Sequence, residues 1–186
     1  ETATHMPQIK ASIGDLELGD VDGDGDLDIV LADWGQFSPV SDQQAGGITQ
    51  LWTQMGVNTG MFEDATLARM PNVGVRWSWD LEFVDINNDY ALDILVSSYA
   101  SDKVSLLLFV NDGAGNFKDA TAGNVAQGKY AIDVEPMDLN GDSFIDLVTM
   151  HDGLSGRNRV LLNNKNGGFT DATEPPSSPM GSPLAS

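Results

Sequence analysis

Five aspartates occupy alternate positions in "DVDGDGDLDIVL", residues Asp20 to Leu31, after which the chain turns apolar. Two carboxylates ~5 Å apart repel by roughly 0.8 kcal/mol in water and about 3 kcal/mol at the effective dielectric of a protein surface. No Lys or Arg lies between Ala11 and Ala68 to relieve them. A compact loop here is therefore expected to take its counter-ion from solution. Numbered from Asp20, side-chain oxygens stand at places 1, 3, 5 and 9 (Asp20, Asp22, Asp24, Asp28), with the backbone of Asp26 at place 7. The set recurs as Asp85, Asn87, Asp89, the carbonyl of Ala91 and Asp93, and again as Asp138, Asn140, Asp142, the carbonyl of Phe144 and Asp146. Alternating oxygen donors suit a hard cation that takes about six to eight oxygens, which favours calcium over the smaller, water-retaining magnesium. Zinc would want His or Cys, and neither is near.

An EF-hand needs a bidentate Glu at place 12, where this chain has Leu31, Val96 and Thr149. The alternative is a set of solvated Asx-turns that need no metal, which three copies with matching places argue against. Place 6 is Gly25, Tyr90 and Ser143 in the three loops, so a left-handed backbone there would make Tyr90 costly. With Asn at place 3 in the second and third loops, the expected order of affinity is first, third, second.

Each loop must be held by the same elements, because its flanks repeat too. "DLELGD", "DLEFVD" and "DVEPMD" precede the loops, while "GITQLWTQ", "KVSLLLFVN" and "NRVLLNN" follow after variable inserts. Each copy closes on "MFEDAT", "NFKDAT" or "GFTDAT". Alternation and β-branched runs read as strands, "NDGAGNF" and "NNKNGGF" read as hairpin turns, and no segment has a helical period. The unit is strand, acidic loop, strand, insert, strand, turn, strand, a signature of propeller blades. The expected fold is all-β: β-propeller blades of four antiparallel strands, three blades present, as part of a larger propeller. The expected boundaries are 1–7 for the end of a preceding blade, 8–73, 74–127 and 128–174 for the three blades, and 175–186 for a linker toward a next blade. Three blades are too few to close a ring, so further blades are expected from the same or another chain.

A formal charge of −19 over 186 residues argues against nucleic acid and anionic membranes and favours cations. Without cysteine there is neither a disulfide framework nor a thiolate site. No apolar run approaches the ~20 residues of a membrane span, and the first residues do not resemble a signal peptide.

With three in-register D-x-[DN]-x-D-x-x-x-D loops, the chain resembles the FG-GAP/VCBS repeat family, whose blades carry a calcium loop between their first and second strands. The resemblance covers almost the whole chain and departs from the family pattern at Tyr90 and Ser143. It implies three structural calcium ions. It also implies a protein or glycan ligand at the face opposite the loops, where the family's topology places the connections bearing Arg69, Arg76, Arg157 and Arg159. Such blades occur in integrin-type propellers, lectins, polysaccharide-active enzymes and bacterial surface proteins.

Trp34, Trp77 and Trp79 are candidate ligand contacts, with Arg76; Trp77 and Trp79 are expected on one side of a single strand. Packing between blades is the competing role for these tryptophans. Phe62, Phe117 and Phe169 recur at one repeat place and read as core. Asp64, Asp119 and Asp171 of the "DAT" motif are expected to cap turns through backbone hydrogen bonds. Asp15/Glu17, Asp80/Glu82 and Asp133/Glu135 are expected near the propeller axis, lining a solvated channel or ringing a second cation. His151 reads as a packing or surface residue. No catalytic set can be assembled from the two histidines and the recurrent acids, so the chain is not expected to be an enzyme. The expected function is an extracellular or cell-surface calcium-binding module for adhesion, recognition or scaffolding. The alternatives are a carbohydrate-binding lectin propeller and a part of a polysaccharide-degrading enzyme.

Overall fold

The computed structural model describes residues 5–35, 47–57, 59–75, 77–99, 104–153 and 157–173. Residues 1–4, Arg76 and 174–186 lie outside that set, and with them most of the expected preceding-blade end, one candidate ligand contact and the expected linker.

Three four-stranded antiparallel sheets follow one another along the chain. The first contains β1 (Ile13–Gly19), β2 (Asp28–Asp33), β4 (Gln50–Gln54) and β5 (Phe62–Asp64). A two-residue strand β3 (Gly47–Ile48) pairs with β6 (Gly74–Val75), and a single helical turn, α1 (Thr66–Arg69), follows β5. The second sheet contains β7 (Ser78–Val84), β8 (Asp93–Ser98), β9 (Leu106–Asn111) and β10 (Phe117–Asp119). The third contains β11 (Ala131–Met137), β12 (Asp146–His151), β13 (Arg159–Asn163) and β14 (Phe169–Asp171). The expected four-stranded blades are present, and among the described residues α1 is the one departure from an all-strand reading. The "EDATLARM" stretch makes that turn because Arg69 and Met70 donate backbone N–H bonds to Ala65 and Thr66 after the "DAT" corner.

The blades pack face to face, so the core lies between sheets. Strand β8 shows how. Ile94 and Val96 join Val21, Val30, Ala32 and Leu51 of the first blade. Leu95, on the opposite face, joins Val134, Leu147, Leu161 and Phe169 of the third. A strand covered on both faces reads as a continuous apolar run rather than an alternation. That is why "DILVSS" is buried throughout. Phe117 and Phe169 are buried core residues, and Phe62 packs against Ile29, Leu31 and Trp52.

The "DAT" corners form as expected. Asp64, Asp119 and Asp171 each accept the backbone N–H of the Thr two residues on, all at 2.9 Å. Those threonines in turn accept backbone N–H bonds from Leu51, Leu108 and Val160 on the third strand of each blade. One expectation about the aromatics is corrected: Trp77 precedes β7 with φ of 55°, so it does not share a strand face with Trp79. Its ring stacks on Tyr99 at 5.8 Å between centroids, and Trp79 meets the same Tyr99 edge-on at 6.4 Å.

Candidate metal centre

Each acidic loop links the innermost strand of its blade to the next, with the pairs Gly19↔Asp28, Val84↔Asp93 and Met137↔Asp146 closing the ladder beneath it. This register places the ninth residue inside the blade, where Asp28, Asp93 and Asp146 are all buried. Each uses both carboxylate oxygens. One accepts the backbone N–H of place 2 (Val21, Ile86, Leu139) at 3.0–3.1 Å. The other accepts the N–H ending the third strand (Gln54, Asn111, Asn163) at 2.8–2.9 Å. Burial pushes Asp28 above the usual carboxylate range and Asp93 up to about 6, against the pull of these N–H donors.

Above this buried base the loop curls around its first residue. Asp20 accepts from Gly23 and Gly25, Asp85 from Asp89 and Tyr90, and Asp138 from Gly141, Asp142 and Ser143. The curl requires a left-handed residue at place 6, and Gly25, Tyr90 and Ser143 have φ of 91°, 70° and 67°. The side chain at place 5 turns to the N–H at place 7: Asp24 to Asp26, Asp89 to Ala91 and Asp142 to Phe144.

The loops part company at place 3. In the first loop, Asp20, Asp22 and Asp28 bring carboxylate oxygens within 4.8 Å of one another, with Asp24 and Asp26 outside that group. Asp22 Oδ1 is buried there without a hydrogen-bond partner. In the second loop Asn87 closes on its own neighbour, donating to Asp89 Oδ2 at 2.8 Å and accepting the Asp89 N–H at 3.0 Å. In the third, Asn140 accepts the Asp142 N–H at 2.9 Å, and Lys165 lies 3.0 Å from Asp142. The Phe144 N–H and Lys165 together hold Asp142 below its usual range. An orphaned carboxylate oxygen among three converging acids fits a hard cation, and only the first loop shows it among the described residues.

The expectation that the first loop has no protein counter-ion is corrected. Arg69 donates to Asp22 Oδ2 at 2.9 Å, brought in by α1 from 47 residues away. Arg69 therefore does not serve the opposite face. It neutralises one oxygen of Asp22 and leaves the other facing Asp20 and Asp28. Arg157 and Arg159 approach Asp171 instead, at 4.0 and 2.7 Å.

Two residues that sequence reasoning passed over join the loops to one another. Asn111 Nδ2 donates to the carbonyls of Val21 in the first loop and Leu92 in the second, at 2.8 and 3.1 Å. Asn163 Nδ2 repeats this with Ile86 and Ile145, at 2.9 and 3.0 Å. Their only signal in sequence is an Asn ending "LLLFVN" and "RVLLN".

The axial acids also carry a repeated contact. Asp15 Oδ2 accepts the Leu81 N–H at 3.1 Å, and Asp80 Oδ2 accepts the Val134 N–H at 2.8 Å. These aspartates strap each inner strand to the next. Burial, with Asp133, Asp15 and Glu135 nearby, pushes Asp80 up to about 7. Burial, with Asp80, Glu17 and Glu135 nearby, does the same to Glu82.

At the opposite end of the strands an aromatic cluster crosses the blades. Trp34 meets Trp79 at 4.8 Å, Tyr99 meets Trp77 at 5.8 Å and Tyr130 at 4.7 Å, and the Tyr99 hydroxyl donates to Asp152 at 2.6 Å. His151 is buried, its Nδ1 at 2.8 Å from the Lys129 carbonyl and its Nε2 at 2.9 Å from Thr149 Oγ1. Burial lowers its pKa, which suits a packing residue.

Comparison with known proteins places the family described as FG-GAP-like repeat over residues 20–96 and 91–149, more than half of the chain. Comparison with curated proteins gives no match.

Proposed function

Because the chain belongs to the FG-GAP-like repeat family, we propose that it is an extracellular, calcium-stabilised propeller module whose work is binding. The observation that carries the metal is the buried, unpartnered Asp22 Oδ1 beside Asp20 and Asp28. Calcium there would neutralise an acidic turn that Arg69 neutralises only in part, and would fix the loop to the buried base at Asp28. The backbone carbonyl of Asp26 and the carboxylate of Asp24 are the remaining donors of that loop. The second and third loops carry the same places with weaker sets, so three sites of descending affinity are proposed: first, third, second. Millimolar extracellular calcium fills such sites more readily than cytosolic calcium does, which supports a location outside the cell or at its surface.

Calorimetric titration of chelator-stripped protein with calcium tests this. Saturable binding, with the tightest site lost in Asp22→Asn, is the expected result. Heat-silent titration with an unchanged melting temperature would overturn the metal and the location together.

One observation favours a glycan as the ligand. Trp34, Trp77 and Trp79 gather with Tyr99 and Tyr130 at the end away from the loops, and Trp79 is 40% exposed there. Glycan-array binding that disappears in Trp79→Ala supports that reading; protein-only binding removes it.

A further inference from the structure

The three acidic loops are joined to one another through the interior of the stack, by the residues that form their floors. In each loop the aspartate at place 9 accepts the place-2 N–H with one oxygen and a third-strand N–H with the other. In the second and third blades that third-strand residue is Asn111 or Asn163. Its side chain then crosses to the preceding blade. Asn111 Nδ2 donates to the place-2 carbonyl of the first loop, Val21, at 2.8 Å. Asn163 Nδ2 donates to that of the second, Ile86, at 2.9 Å. One unbroken series results, passing from Asp28 through Val21, Asn111, Asp93, Ile86, Asn163 and Asp146 to Leu139.

Every member from Asp28 to Asp146 is at most 6% exposed, so water does not substitute for a bond that loosens, and the network holds or gives way as a unit. Asn111 Oδ1 accepts the N–H groups of Gly113 and Gly115, both at 3.0 Å. Those bonds fix the orientation of the amide and leave Nδ2 to face the carbonyls. Asn163 Oδ1 is held by the Lys165 N–H in the same way. A further tie joins the second and third loops at their rims, where Asn88 Nδ2 donates to the Ser143 carbonyl at 3.1 Å. The second loop, with Asn87 at place 3 and Tyr90 at place 6, is thus bonded to both of its neighbours.

We infer that cation binding is cooperative between loops: occupancy of the first loop raises the affinity of the second, and Asn111 carries the coupling. The inference rests on the reading of the first loop as a calcium site. Its physical basis is ordering. A cation held by Asp20, Asp22 and Asp28 fixes the floor of the first loop, and with it the Val21 carbonyl. Asn111 bridges that carbonyl to the Leu92 carbonyl of the second loop, at 2.8 and 3.1 Å. A site whose surroundings are already fixed loses less entropy on binding, which is positive cooperativity without a change of shape. Direct repulsion between two cations has the opposite sign, so the sign of the coupling separates the two causes.

Nuclear magnetic resonance on the whole chain reads the loops one by one, because the place-6 N–H of each binds its own place-1 carboxylate. Gly25 donates to Asp20, Tyr90 to Asp85 and Ser143 to Asp138. Chelator-stripped protein is titrated with calcium, and the midpoint of the Tyr90 amide shift is compared in wild type, Asp22→Asn, Asn111→Ala and the double variant. Asp22→Asn cripples the first loop and changes no residue of the second. It is expected to raise the Tyr90 midpoint on the order of fivefold or more, and that rise is expected to vanish in the Asn111→Ala background. Asn111→Asp keeps the oxygen that Gly113 and Gly115 require and lacks only the donor, so it serves as a second uncoupling variant. A Tyr90 amide that never responds, or whose midpoint is unmoved or lowered by Asp22→Asn, overturns the coupling. So does a rise that survives in both Asn111 backgrounds, since that is the through-space loss of one carboxylate. Those results leave calcium at the Gly25 amide in place. A titration that moves none of the three amides removes the calcium reading itself, and the coupling with it.

Discussion

In the first acidic loop Asp22 faces Asp20, Asp28 and Arg69 and keeps a buried oxygen free of hydrogen bonds. In the second, Asn87 holds its own neighbour, Asp89, and Tyr90 sits at φ 70° where the first loop has Gly25. The backbone turn and the buried ninth residue are the same in both. The contrast therefore separates two jobs within one motif. Asp28 and Asp93 serve the blade whether or not a cation is present, whereas places 3 and 6 decide how well a cation is held and how much backbone strain the loop carries.

Removing the shared base should have the largest effect. Asp93→Ala leaves the Ile86 and Asn111 N–H groups without their acceptor. An unsatisfied buried donor costs about 1–3 kcal/mol, so a loss of roughly 2–5 kcal/mol is expected in urea unfolding, with little added in calcium because the second site is the weakest. Asp28→Ala should match it in chelator and exceed it in calcium. Equal losses in both conditions would collapse the distinction between the two loops.

Calcium itself comes next. A ligand specific to the folded state stabilises by about 2.7 kcal/mol at a hundredfold excess over its dissociation constant. Melting curves should show most of that gain vanish in Asp22→Asn and a new increment appear in Asn87→Asp. A gain indifferent to both changes would place the cation elsewhere.

The calcium-free protein should also respond to pH, chiefly through the axial acids. Asp80 and Glu82 titrate near 7 when folded, against ordinary values of 3.8 and 4.5. Between those limits the folded chain holds protons that the unfolded chain releases, so stability falls as pH rises through 7 and grows as pH drops toward about 5. Asp93, pushed to about 6, adds in the same sense. Melting in chelator at pH 5.5 and 8 should show this sign, and Glu82→Gln should flatten the slope.

The smallest effects test strain and charge. A non-glycine residue in the left-handed region costs about 1–2 kcal/mol, partly offset by the entropy glycine loses on folding, about 0.5–1 kcal/mol. Tyr90 is almost fully exposed, so Tyr90→Gly should stabilise by roughly 0.5–1 kcal/mol, and Gly25→Ala should do the reverse; denaturant midpoints resolve both. Arg69→Gln removes a partly exposed ion pair worth up to about 1 kcal/mol. Its clearer sign is tighter calcium binding at the first loop, because a competing cation has left Asp22.

The loops, the four-stranded unit, the "DAT" corners and the left-handed sixth place are all legible in the amino-acid order, because each depends on residues a few positions apart. An Asx-type turn, a hairpin or a positive φ is decided within one or two turns of chain, and repetition makes the pattern plain. Arg69 on Asp22, the straps from Asp15 to Leu81 and Asp80 to Val134, and the amide bridges of Asn111 and Asn163 are not legible. They join residues 47 to 90 positions apart, and only tertiary packing, within the first blade for Arg69 and between blades for the rest, sets those distances. Trp77 is not legible either: its carbonyl accepts the Tyr99 N–H and its ring stacks on Tyr99 across the β7–β8 pair. Local chemistry, then, specifies which groups can hold a cation, while tertiary packing within and between blades decides which acid is answered by an arginine, which is strapped to a neighbour and which keeps an oxygen free.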